Sequence, residues 1–231
     1  MPWIAGADGC KGGWVAAFLQ SDSGEIRVEV VPSFAEVISS IHRPSVIAVD
    51  MPIGLPSTSA PRRACDAEAR KRLGPRRSSV FSPPVREVVG VAAYGEANGM
   101  SKRLTGKGLS KQAFYIMPKI SEVHEALVAE PTCNIRECHP EVSFMAMNGE
   151  VPLEAYKRTP EGQRLRGVLL AREFGTGFAK LNVVHPGVAL DDVYDAFACL
   201  WTARRILQGV ARSLPATPPR DALGLPMQIV Y

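Results

Sequence analysis

The sequence predicts an α/β domain built on a mixed sheet, and three observations carry that expectation. Two short apolar runs, Trp3 to Ala7 and Trp14 to Leu19, flank a glycine-rich turn and read as a hairpin of buried strands. A third run, Ile26 to Val31, follows after only the Ser21 to Gly24 turn, and such short connections imply three consecutive antiparallel strands. A wholly apolar run, Val46 to Val49, then comes after a helical segment, and a crossover helix returns the chain parallel to its sheet. With 231 residues the chain reads as one domain, 1–231, large enough to bury a substantial core.

Each element has its own local reason. Gly9, Gly12 and Gly13 supply a turn in which positive φ is tolerated, and Asp8 ends the run before it. Ser33-Phe34-Ala35-Glu36 matches a capping box, so a short helix should run to about Ser40. Asp50 closes the Val46 to Val49 strand, and Met51-Pro52-Ile53-Gly54-Leu55-Pro56 can continue neither strand nor helix. A helical insertion over 57–132 is expected from there. Within it, Pro61 and Gly74 bound a basic helix, Ala60 to Leu73. Arg76 to Pro84 reads as a rigid loop, and helices are expected over Val85 to Asn98 and over Ser110 to Glu130, the second kinked at Pro118. Asn134 to Cys138 is a short strand, Thr159-Pro160 opens a helix stopped by Gly175, and the last long helix starts at Asp191 and reaches about Gln208. Met227 to Tyr231 is apolar enough for a final edge strand.

Composition narrows the function classes. Hydrophobic residues make 46% and charged residues 22%, ordinary for a soluble globular protein. No apolar run of about eighteen residues and no signal-peptide layout is present, so neither a membrane partner nor secretion is expected. Five cysteines without a Cys-x-x-Cys pair suggest reduced thiols in a cytoplasm, and neither a disulfide framework nor a zinc site. The net charge of +4 is unevenly placed: from Arg62 to Arg77 seven basic residues face only Asp66 and Glu68, and Lys102, Arg103, Lys107 and Lys111 follow. Such density either tracks a phosphate backbone or forms a solvated helix face.

Asp8 at the mouth of a sheet is costly to desolvate unless a cation meets it, although an Asp before Gly also closes turns through its own backbone. The crossover brings Asp50 to the same end of a strand neighbouring Asp8, which favours the cation. At the start of the last helix, Asp192 and Asp195 share a face beside an apolar stripe of Val193, Phe197, Leu200 and Trp201. A helix start also welcomes acids through its dipole, and Asp191 is a natural cap.

This order of elements resembles the RNase H-like fold, with helices on both faces of the sheet, and the Asp192-x-x-Asp195-Ala196 motif resembles that of RuvC-type resolvases. A set of motifs gives a closer likeness: Gly9-x-x-Gly12-Gly13-Trp14, Asp50-x-Pro52-Ile53-Gly54-Leu55-Pro56, Arg77-Ser78-Ser79-Val80-Phe81, Pro118-Lys119-Ile120-x-Glu122, Glu137-x-His139-Pro140-Glu141 and Asp192-x-x-Asp195-Ala196. Together they resemble the domain of unknown function 429 family, predicted nucleases of RNase H-like fold, over nearly the whole chain. The resemblance implies a metal-dependent nuclease whose catalytic set is Asp8, Asp50, Asp192, Asp195 and Glu137. Asp8, Asp50 and Asp195 would be the metal ligands, with Asp8 bridging.

Two carboxylates about 4 Å apart repel by roughly 4 kcal/mol at an effective dielectric near 20, so the cluster needs cations. Oxygen ligands suit Mg²⁺ or Mn²⁺, and a pair of such ions about 4 Å apart can activate water and stabilise the leaving oxygen of a phosphodiester. Lys11, Arg76, Arg77, Ser79, Lys107, Lys119 and His139 are the expected substrate contacts, nucleic acid is the expected partner, and a homodimer is compatible with the chain. Two other readings stand beside the nuclease. One is a nucleotide-binding ATPase or kinase of the actin-like type, which normally duplicates this core. The other is a nucleic-acid-binding protein without catalysis.

Overall fold

The apolar runs of the first thirty residues form three strands: β1 (Trp3–Cys10), β2 (Gly13–Gln20) and β3 (Ile26–Val31). The computed structural model describes residues 2–60, 62–179 and 188–231. β1 and β2 pair antiparallel from Trp3 opposite Gln20 to Cys10 opposite Gly13. The turn between them is therefore only Lys11-Gly12, with Gly12 at φ 91°, a left-handed conformation open to glycine. Because Gly9 and Cys10 stay in the ladder, Asp8 projects from within the strand and not from its end.

α1 (Phe34–Ile38) follows without the expected capping box. Ser33 Oγ donates to Glu36 Oε1 at 3.0 Å, and the free N–H of Phe34 finds Glu122 Oε2, 88 residues away, at 2.8 Å. β4 (Val46–Val49) then runs parallel to β1. Between it and β5 (Asn134–Glu137) lie α2 (Ala64–Leu73), a 3₁₀ segment over Gly74–Ser79, a second over Arg86–Val88, α3 (Tyr94–Thr105), α4 (Lys111–Tyr115) and α5 (Met117–Ala129). The helix expected over Val85 to Asn98 is thus a 3₁₀ turn and a later helix, since Gly90 takes φ 95° between them. The helix expected from Ser110 is two helices meeting at Ile116, with Pro118 in the first turn of α5, where its missing N–H costs nothing. Pro61, the expected start of the basic helix, lies outside the described residues.

α6 (Pro140–Met147), α7 (Pro160–Ala179), α8 (Leu190–Leu207), β6 (Ser213–Leu214) and β7 (Ile229–Val230) complete the chain. Gly175, at φ 60° and ψ −142°, interrupts the helical path of α7 where the sequence places a stop. The apolar tail pairs with β6 in a small separate sheet, touching the main sheet's end through a bridge from Val230 to Cys138.

The main sheet has the order β3-β2-β1-β4-β5, mixed in direction and covered by helices on both faces, consistent with the RNase H-like α/β fold. On one face Ile4, Val15, Ala17 and Ala48 meet α6, α7 and α8. On the other, Ala5, Trp14, Phe18 and Ile47 meet α1 and α5. Burying a large apolar side chain contributes about 1.5–3 kcal/mol, so Phe197 and Leu200, both without exposure, fix α8 against the sheet.

Candidate active site

One glycine sets the depth at which α8 lies on β1. A Cβ on Gly6 would sit 2.0 Å from the backbone N of Leu200 and 2.2 Å from the Ala196 carbonyl oxygen, so only glycine admits the helix there. Side chains alternate along a strand, and Asp8 points to the same face as Gly6, Ile4 and Cys10. Asp195 precedes Ala196 on α8 and is thereby delivered beside Asp8. β4 adds the third acid: Val49 lies opposite Ala7, the Asp50 N–H donates to the Ala7 carbonyl at 3.0 Å, and Asp50 follows alongside Asp8.

The charges of these side chains act on one another. Asp8, buried, is raised well above the usual carboxylate range by burial first and by the charges of Asp50 and Asp195 second. Asp195 is pushed up to about 7 by burial, with Asp50 adding to the effect and Lys157 opposing it. Asp50 is raised by burial against the pull of His139 and Lys157. Asp192, half-buried, is raised by burial and by its neighbour Asp191. All four aspartates expected from the sequence therefore share one electrostatic environment, and each holds its proton more tightly than a free carboxyl.

The cation among them is Lys157, in the loop between α6 and α7. Its Nζ hydrogen-bonds Asp195 Oδ2 and lies 3.6 Å from Asp191 Oδ2. Burial draws the ammonium down, but Asp195, Asp8 and Asp50 together outweigh it and hold the group above its ordinary range. Arg158 Nε donates to Asp191 Oδ2 at 2.9 Å, so Asp191 is a buried ion-pair partner and the helix cap is Ala189. Among the described residues no group of three His, Cys, Asp or Glu is arranged to hold one metal ion. Lys157 escaped the sequence reading because it lies 38 residues from its partner in an irregular loop. The one available signal was the excess of acids at the start of α8.

Asp50, Asp195 and Lys157 line a cavity of about 350 Å³ together with Arg76, Ser79 and His139. His139 Nε2 lies 3.3 Å from the Ser79 carbonyl, while its Nδ1 is buried without a partner. Ser79 Oγ donates to the Arg76 carbonyl at 2.8 Å. Arg76 is committed internally: Nη2 donates to Glu141 Oε1 at 3.2 Å, and the guanidinium stacks 4.1 Å above the Tyr156 ring. Glu141 in turn takes both oxygens' bonds from Arg166 Nη2, at 2.7 and 2.8 Å.

Other expected site residues serve the fold. Glu137, expected in the catalytic set, has both oxygens occupied: Oε1 accepts from Arg63 Nη2 and Oε2 from the Ile53 N–H at 2.8 Å. Lys119 donates to the Gly13 carbonyl and lies 4.5 Å over the Trp14 ring, stapling the hairpin. Lys11 and Arg77 are exposed and stand outside the aspartate cavity. Lys107 lines a second cavity with Arg70.

No helix among the described residues is long and apolar enough to cross a membrane. Comparison with curated proteins and with solved structures gives no significant match. A family model does match, over residues 6–220, a span that contains Asp8, Asp50, Asp192 and Asp195. By that match the chain belongs to the family described as Protein of unknown function (DUF429).

Proposed function

We propose that this chain is a metal-dependent phosphodiesterase acting on nucleic acid, at work in a cytoplasm, where its five free cysteines stay reduced. The observation that carries this reading is the arrival of Asp8, Asp50 and Asp195, from three separate elements, on one face of the sheet around a single lysine. Buried acids with raised proton affinity in a cleft are a mark of functional sites. The donors are all carboxylate oxygens, which suits Mg²⁺ or Mn²⁺ and disfavours zinc. Asp8, Asp50 and Asp195 would hold the ion, with Lys157 giving up Asp195 to admit it. Bound there, it would supply charge stabilisation for the phosphoryl group and acidify water.

The chain's own groups provide the remainder. Asp192, half-buried and within reach of Asp8's charge, would orient the attacking water or accept its proton. Lys157 lines the cavity and, released from Asp195, offers its ammonium to a phosphate oxygen. Arg76, clamped between Glu141 and Tyr156, gives the cavity a rigid wall. The test is a cleavage screen on single-stranded and structured DNA and RNA with Mn²⁺ or Mg²⁺, beside an ATP hydrolysis control. Strand cleavage that stops in EDTA and in Asp8→Asn is expected. ATP hydrolysis without strand cleavage would replace this reading with the actin-like one.

A further inference from the structure

A larger cavity, about 720 Å³, opens between α2 and the loop joining α3 to α4. Its volume is in the range of sites that enclose a small organic ligand, about 300–1,000 Å³. Four cations line it against one carboxylate, Asp66. Of the four, Arg63 is spent on Glu137 and on Asp66, 3.7 Å away. The other three are not neutralised. The side chains of Arg62 and Lys107 are exposed and have no hydrogen-bond or ionic partner among the described residues. Arg70 has no carboxylate partner there either. Its Nε donates to the Val80 carbonyl and its Nη2 to Ser82 Oγ, both at 2.9 Å, so its guanidinium is aimed before any ligand arrives.

This cavity adjoins the aspartate cavity. Phe81 and Gln112 line both, which makes them the wall a ligand would cross in passing from one to the other. Phe81 is half-buried and offers a ring face, and the Gln112 amide is exposed with no partner among the described residues. Cations for phosphate, an aromatic face for stacking and an amide for a base edge are the parts from which single-strand sites are made. A cleft of this size accepts an unstacked nucleotide, whereas a duplex presents its phosphates along an extended groove or surface.

We infer that the basic cavity holds the unpaired nucleotide adjoining the phosphodiester presented to the aspartates, so that the substrate is a single strand threaded past Phe81. The inference rests on the nucleic-acid reading of the aspartate site, and its test avoids catalysis. Fluorescence anisotropy in EDTA would compare 3′-labelled oligo(dT) and oligo(U) hexamers with a hairpin duplex, and a competition arm would use free mononucleotide. Arg62→Ala with Lys107→Ala removes two exposed side chains that hold nothing in the fold. The hexamers should bind more tightly than the duplex and than the mononucleotide. The double variant should lose about tenfold in affinity, and its log-log salt slope should fall by about 0.7 for each cation that met a phosphate. Arg70→Gln should weaken binding further. Unchanged hexamer binding in the double variant, tighter binding of the duplex, or mononucleotide binding equal to the hexamer's would each overturn the inference. A protein that binds in this way and cuts nothing would leave the inference standing and remove the nuclease.

Discussion

Two groups of carboxylates, all buried except the half-buried Asp50, lie next to each other in this protein and are neutralised in opposite ways. Glu137 and Glu141 each face a buried guanidinium, Arg63 in one case and Arg166 with Arg76 in the other, and their oxygens are filled by hydrogen bonds. Asp8, Asp50 and Asp195 share one ammonium, which also lies near Asp191. Matched charges of the first kind brace a fold. An under-neutralised group of the second kind raises the free energy of the native state, and a chain keeps such a cost where a ligand relieves it. The Glu137-x-His139-Pro140-Glu141 motif and the aspartates were read from the sequence as one site, and it is this difference in neutralisation that separates them.

The sharpest way to break the comparison is to delete one charge from each group. Arg166→Ala leaves Glu141 buried without its bidentate partner and should cost about 3–5 kcal/mol by urea denaturation in EDTA. Asp8→Asn removes a charge that its neighbours repel, and its stability should equal or exceed the parent's. Equal destabilisation by both substitutions would show the two groups to be of one kind.

Acidity acts on the aspartates and on Glu137 alike, because burial raises both. Asp195 has a folded pKa of about 7 against an ordinary 3.8, so the folded state binds its proton more tightly than the unfolded chain. Its contribution is fully present below about pH 4 and is lost as pH rises through about 7, and Asp8, Asp50 and Asp192 share that sign. His124, held below its ordinary value by burial, works in the opposite sense, but it is one group against five, since Glu137, pushed up to about 7 by burial against the pull of Arg63, shares the aspartates' sign. Asp191 and Asp221, both lowered, act only below about pH 4. Stability in EDTA should therefore fall from pH 5 to pH 8, with a flatter profile in Asp195→Asn. A parent profile flat across that range would contradict the account.

A divalent ion should restore part of what high pH removes. At a hundred times its dissociation constant a ligand of the native state alone adds about 2.7 kcal/mol. Mn²⁺ or Mg²⁺ should raise the melting temperature of the parent and of Arg62→Ala, and should leave Asp8→Asn unmoved. An equal shift in Asp8→Asn would place the ion elsewhere.

The sheet was legible in the sequence because its information is local. β3 and β4 fall where their apolar runs place them, and Asp50 could be put beside Asp8 from the crossover alone, whereas Asp195 joined them only through the family resemblance. The losses are non-local. The capping box at Ser33 fails because its hydroxyl donates to the Glu36 carboxylate, leaving Glu122 of another helix to serve the Phe34 N–H, and Lys119 is drawn to the hairpin by a carbonyl 106 residues away. Arg76 looks like a phosphate contact in a run of basic residues until Glu141 and Tyr156 close on it. The helix expected over Val85 to Asn98 was lost to Gly90, whose positive φ no helical periodicity records.

The smallest expected effect belongs to Lys157, and it is the one that tests how the two groups of acids differ in use. If its ammonium stands in for a metal, removing it should help the ion bind, because Asp195 no longer has to be surrendered. If instead Lys157 is a structural partner like Arg166, removing it should damage the fold and the metal response together. Lys157→Gln keeps most of the side chain's volume and drops the charge. In that variant Mn²⁺ should bind about tenfold more tightly by calorimetry, a change of about 1.4 kcal/mol, while metal-free stability at pH 8 falls because the aspartates repel without a counter-ion. At pH 5, where Asp195 holds its proton, the same variant should melt close to the parent. Weaker Mn²⁺ binding in Lys157→Gln would mean that the lysine holds the aspartates in place for the ion and does not occupy the ion's position.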